Sequence, residues 1–224
     1  MKHVPRILGR IDFGERVIYR GHADDGWELK ASIGRNYTGA WDTVAPREQQ
    51  ALEEFKKRSI PYIRHRPATD IEWLCLMQHH GCATRLLDFT SNPLIALFFA
   101  SEQVEGKDGK DGKLIIAKDT PPYPGTLELS LFDHLGNFAY LPPHITERII
   151  GQAGCFVFCG KPNHQLDERQ FEMIPIPWIE KQAIRWELKA MGISYSTLFP
   201  GIDGVCRDIN ESLIYDLGYE EIPF

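Results

Sequence analysis

Apolar positions along this chain recur at two periods, one fitting strands and the other helices. Arg16-Val17-Ile18-Tyr19-Arg20 has the β-branched and aromatic content of a strand and stops at Gly21. Between Pro46 and Ser59, Ala51, Leu52 and Phe55 share one stripe while Glu and Lys take the rest. That pattern predicts an amphipathic helix with Pro at its start, closed by Pro61. Thr69-Asp70-Ile71-Glu72 has the spacing of a capping box, so a helix should run through Trp73, Leu74 and Met77 to a stop at Gly81. Thr90-Ser91-Asn92-Pro93 offers capping side chains and a first-turn proline, and Leu94 to Ala100 is apolar on every face. Such a helix belongs inside a core.

The acidic, glycine-rich Glu105 to Lys113 reads as a solvated loop before a strand from Leu114 to Ala117. Further strands are expected at Thr126 to Leu131, Cys155 to Cys159 and Phe171 to Ile176. Helices are expected at Trp178 to Met191 and Asp208 to Leu217, each ending at a glycine. Strands and helices mix without regular βαβ alternation, which predicts one α+β domain over residues 1–224 with a largely antiparallel sheet.

Composition narrows the classes. With 224 residues, 43% hydrophobic and 25% charged, the chain can bury a sizeable core, and disorder as the main state is excluded. Twenty-five Lys and Arg against thirty-one Asp and Glu give a net charge of −6, which argues against a phosphate-tracking groove over much of the surface but leaves room for a local basic pocket. No apolar run approaches the roughly 20 residues of a membrane span, and Met1-Lys2-His3-Val4-Pro5-Arg6 lacks the apolar core of a secretion signal. A cytoplasmic protein without membrane contact is expected. Five cysteines fit that compartment: Cys155 and Cys159 would lie about 13 Å apart along a strand, too far for a disulfide.

Three constellations carry candidate chemistry. Tyr19-Arg20-Gly21-His22 ends the first strand with an Arg beside a glycine that would let a ligand approach the backbone, a plausible anion clamp; a structural ion pair beside a turn is the alternative. The run from Gln78 to Pro93 packs His79, His80, Arg85, Asp88, Thr90 and Ser91 between two apolar helices. Polar groups there need full hydrogen bonding or a ligand, and an internal Arg85–Asp88 pair would explain only part of them. Neighbouring His residues on a helix point about 100° apart and no other ligand falls at zinc spacing, so no metal is expected. Third, Gln152 stands between two glycines ahead of a strand, where its amide could enter a cleft or cap a turn.

Taken together, these blocks resemble the FRG domain family. The residues that carry the likeness are Tyr19-Arg20-Gly21, Trp27 with Leu29 and Ser32, and Arg47-Glu48, followed by Gln78-His79-His80-Gly81, Thr84 through Thr90, Asn92-Pro93, Ala96 and Phe98-Phe99-Ala100, and lastly Gln152 to Phe156.

A more distant likeness is to mono-ADP-ribosyltransferases, through a Tyr-Arg-Gly strand, a Thr-Ser-x-Asn-Pro entry to a helix, and a polar residue before a later strand. That resemblance implies an ADP-ribosyltransferase-like fold. It implies a cleft binding NAD as substrate, with Tyr19, Arg20, Gly21, Arg85, Thr90 and Ser91 holding the nucleotide. Arg20, His79, His80, Asp88 and Gln152 would be the catalytic set. The implied activity breaks the nicotinamide–ribose bond and transfers ADP-ribose to a macromolecule, protein or nucleic acid, as a toxin or phage-defence effector would. Gln152 stands where the transferases carry a Glu, and a neutral amide cannot stabilise a developing cation. Glu147 and Asp88 are the carboxylates that could substitute, with His79 or His80 as acid or base. The alternative class is a non-catalytic nucleotide- or nucleic-acid-sensing module.

Overall fold

The computed structural model describes residues 1–13, 16–35, 37, 39–63, 65–103, 109–125, 130–143 and 146–217. In chain order the elements are α1 (His3–Leu8), β1 (Ile18–His22), α2 (Trp41–Ser59), α3 (Asp70–His79), β2 (Leu86–Thr90), α4 (Pro93–Ala100), β3 (Gly112–Ala117), β4 (Phe138–Tyr140), α5 (Glu147–Gly151), β5 (Gly154–Phe158), β6 (Phe171–Ile176), α6 (Trp178–Ala190), α7 (Tyr195–Leu198) and α8 (Ile202–Leu217). Six strands form one sheet in the order β4-β5-β2-β1-β3-β6, and every pairing between them is antiparallel. The α+β class and the antiparallel sheet expected from the sequence are what the structure has.

Local signals placed the helix starts where side chains could cap them. Thr69 accepts from the Glu72 N–H, and the Glu72 carboxylate reaches back to the Ala68 N–H at 2.8 Å. Asn92 caps α4 through the Leu94 N–H at 2.9 Å, with Pro93 in the first turn. Gly81 and Gly192 follow α3 and α6 with positive φ, which an L side chain resists.

Several expectations need correction. Helix α2 starts at Trp41, so Pro46 sits inside it, where its ring removes one backbone hydrogen bond without ending the helix. Helix α8 starts at Ile202 rather than Asp208. Asp208 instead receives the Tyr195 and Ser196 N–H groups and the Ser194 hydroxyl, bracing α7. Strand β1 continues through Gly21 to His22. Helices α1, α5 and α7 and strands β2 and β4 were not anticipated. Residues 126–129 of the strand expected at Thr126 to Leu131, residues 105–108 of the loop expected at Glu105 to Lys113 and the glycine after α8 lie outside the described residues.

The sheet has two different faces. On one, α4 packs on β1 with Tyr19, Leu114, Ile116, Ile174 and Ile176 beneath it and α1 and α6 beside it. Alongside, α2 and α3 cover Leu86, Phe138, Phe156 and Phe158. The other face buries Ile18, Leu87, Phe89, Ile115 and Val157 under irregular chain that contributes Leu29, Ala31 and Leu166.

Strands β1 and β2 meet at a single residue pair, Tyr19 with Thr90, whereas β1 pairs with β3, and β2 with β5, over five residues each. The sheet is therefore two ladders joined by a narrow seam.

Candidate functional site

Strand alternation sends neighbouring side chains to opposite faces. Tyr19 is buried among Ile95 and Ala96 on the helix-covered face, and burial raises its hydroxyl pKa. Gly21 faces the same way, where a Cβ would strike the backbone of Ala96 and Ala100. This glycine admits α4 and no ligand. Arg20 and His22 project to the other face, beside the seam.

The Arg20 side chain is 14% exposed, and its partners are mostly neutral. Its Nε donates to His22 Nε2 at 2.9 Å and its Nη1 to the Asp88 carbonyl, while Nη2 has no partner among the described residues. The nearest carboxylate oxygen, on Asp88, is 4.0 Å away. Burial lowers the Arg20 pKa, Asp88 opposes that, and Arg35 adds to it. Burial, with Arg20 and Lys113 nearby, pushes His22 down to about 3, so its imidazole is neutral at pH 7 and accepts from Arg20. The result is a nearly enclosed guanidinium whose charge is only partly balanced, an arrangement suited to an anion.

Asp88 is itself held in place. Its side chain is 68% exposed, yet Oδ1 accepts from Gln78 Nε2 at 2.8 Å, and the Gln78 carbonyl accepts in turn from the Thr84 hydroxyl. A solvent-facing carboxylate fixed beside a guanidinium can bond a ligand hydroxyl or face a developing positive charge.

The remaining expected residues sort into three groups. Thr90 is buried, its hydroxyl donating to the Gln152 carbonyl at 2.7 Å and accepting from the Asn92 N–H, while Ser91 stays exposed near the Ala153 carbonyl. The Gln152 amide donates to the Leu198 carbonyl at 3.2 Å, on the helix-covered face and away from Arg20. It braces α7. Arg85 does not pair with Asp88; it is fully enclosed with Glu48 and lies 5.2 Å from the centres of the Phe132 and Phe158 rings, out of reach of a nucleotide. His79 and His80 stack edge to face at 4.8 Å, the first half-buried and the second exposed beyond α3. Burial lowers the His79 pKa, with His80 and Arg148 adding to it.

His79 and Glu147 line an open groove of about 810 Å³ together with Phe99, Arg148, Phe199 and Arg207. It lies on the helix-covered face, so the sheet separates it from Arg20. The three blocks thus fall on adjacent strands β1, β2 and β5, but their side chains do not converge on one cleft.

Residues 15–109 match the family model of the FRG domain, a span that runs from β1 through α4 and contains Arg20, Gln78, Asp88 and Ser91. Over that span the chain is similar to the FRG domain. No curated protein and no solved structure matches the chain. The FRG match ends before β3, so Glu147 and Gln152 lie beyond it.

Within the FRG span, the sequence reading named His22 and Trp27 without a role near Arg20 and did not name Arg35; His22 bonds Arg20, Trp27 packs on His22, and Arg35 lowers the Arg20 pKa. His22 had a signal, since it stands two residues from Arg20 and a strand puts such residues on one face. Among the described residues no group of three or more His, Cys, Asp or Glu could hold a metal ion, and no helix is long and apolar enough to cross a membrane.

Proposed function

We propose that the chain is an ADP-ribosyltransferase-like unit that binds NAD or a related nucleotide at the seam between β1 and β2. Arg20 would hold the phosphate through Nη2, which has no partner among the described residues, and the exposed Ser91 hydroxyl would bond the ribose. The observation that carries this reading is the Arg20–Asp88 arrangement, an under-neutralised buried guanidinium 4.0 Å from an exposed carboxylate that Gln78 holds still. Asp88 supplies the negative charge that Gln152 cannot: it is placed to bond a ribose hydroxyl and to stabilise positive charge at the anomeric carbon as nicotinamide leaves. ADP-ribose would then pass to a protein or nucleic acid acceptor, an activity suited to a toxin or a phage-defence effector.

Gln152 favours a second reading. Its amide is committed to the Leu198 carbonyl and offers no carboxylate, as expected of a module that senses a nucleotide or a nucleic acid without turnover. Incubation with NAD, followed by mass analysis for free nicotinamide and a thermal-shift measurement, separates the two. Nicotinamide release that Asp88→Asn abolishes supports the transferase; a shift without release, lost in Arg20→Ala, supports the sensor. Neither release nor shift overturns both readings for NAD.

A further inference from the structure

Beside His22, which accepts from Arg20 Nε, stands an aromatic ring that the fold presents to solvent. Trp27 is 43% exposed, and its ring lies 5.9 Å from that of His22 at an interplanar angle of 65°. His22 in turn accepts from Arg20 Nε, so the imidazole links the indole to the guanidinium.

The turn that carries Trp27 is braced on three sides. The Trp27 N–H donates to the Asp24 carbonyl at 3.1 Å and the Gly26 N–H to the Asp24 carboxylate at 2.9 Å. The Asp25 N–H donates to the Asp111 carbonyl at 2.8 Å, tying the turn to the start of β3. Asp24 itself is buried. A braced turn therefore carries a large, partly exposed ring one side chain away from a guanidinium whose Nη2 has no partner among the described residues. Inorganic phosphate would satisfy Arg20 but leave the indole exposed. A phosphate that carries a planar heteroaromatic ring satisfies both, because every base has a face that can stack on an aromatic side chain.

We infer that Trp27 is the platform on which the base of the bound nucleotide stacks, giving the site its preference for base-bearing phosphates over phosphate alone. This rests on the assignment of Arg20 to phosphate made above. The shared chemistry is a planar ring on a phosphorylated ribose, and either end of a dinucleotide could supply it.

The test is calorimetric titration of the full chain with inorganic pyrophosphate, nicotinamide mononucleotide, AMP and NAD, for the native protein, Trp27→Ala, Trp27→Phe and Arg20→Ala. Trp27→Ala should weaken NAD, and one of the two mononucleotides, by about 5- to 150-fold. Pyrophosphate should change less than about 2-fold, because no stacking contributes to its binding. Trp27→Phe should recover part of the loss, and the mononucleotide that is weakened names the end that stacks. Binding should quench indole fluorescence in the native protein, and Trp27→Phe should remove most of that quench although four other tryptophans remain. If Trp27→Ala leaves NAD binding unchanged while Arg20→Ala abolishes it, the platform is refuted and the phosphate assignment stands. An equal loss for pyrophosphate and NAD in Trp27→Ala would mark the residue as structural and overturn the inference. A native protein that binds none of the four overturns the phosphate assignment and the platform together.

Discussion

Glu48 grips Arg85 twice: one carboxylate oxygen accepts the Arg85 backbone N–H at 2.7 Å and the other accepts Nε at 2.6 Å, with both side chains fully enclosed. The pair ties α2 to the residue before β2. Burial raises the Glu48 pKa and Arg85 opposes that rise.

Removing one partner strands a buried charge. Glu48→Gln should destabilise the protein by about 3–5 kcal/mol, read as a lower denaturant midpoint at unchanged slope. The double change Glu48→Leu with Arg85→Met should recover much of the loss, since neither charge is then desolvated. A Glu48→Gln protein as stable as the native one would refute the structural role given to this pair.

Two groups contribute to different parts of the acid limb of stability. His22 titrates near 6.5 when unfolded and about 3 when folded, so the unfolded state binds more protons between those values and stability falls as pH drops through that window. Glu187 is opposed by burial, but the Val4, Lys2 and His3 N–H groups and the N-terminal charge outweigh it and hold the carboxyl at about 2. Its contribution is present above about 4.5 and is lost as pH falls toward 2. Denaturation at a series of pH values should show His22→Gln flattening the upper part of the limb and Glu187→Gln the lower part.

Gln152→Glu tests the third block. A carboxylate there would face the Leu198 carbonyl without a proton to give, so the variant should lose about 1–3 kcal/mol of stability and gain no NAD cleavage. Increased nicotinamide release from a normally stable Gln152→Glu protein would return position 152 to the reacting centre.

Gly21→Ala should fail to accumulate as folded protein, because its methyl group would have to occupy the path of the α4 backbone. Circular dichroism and melting of the variant check this. A folded Gly21→Ala that has lost only ligand binding would mean the glycine serves the ligand after all.

What could be read in the sequence was local. Thr69, Glu72, Asn92 and Pro93 announce helix starts because their partners lie within four residues. Strand β2 stayed hidden because the polar groups at its start and middle have distant reasons: Arg85, just before it, answers to Glu48, 37 residues away, and the Asp88 carbonyl answers to Arg20, 68 residues away. For the same cause the motif residues were recognisable while their division between two faces was not. Which way Arg20 points depends on Tyr19 pairing with Thr90, a register that no spacing within either segment encodes.

Beyond that single pair, a side chain completes the connection between the two ladders, since Arg20 Nη1 holds the Asp88 carbonyl. The guanidinium is thus a latch on the backbone as well as a charge. A ligand that bonds only Nη2 leaves the latch shut, whereas one that draws Nη1 away opens the join, and the two differ in how fast amides along β2 exchange with solvent. By reciprocity, whatever prises the ladders apart must alter the grip on the ligand by the same factor.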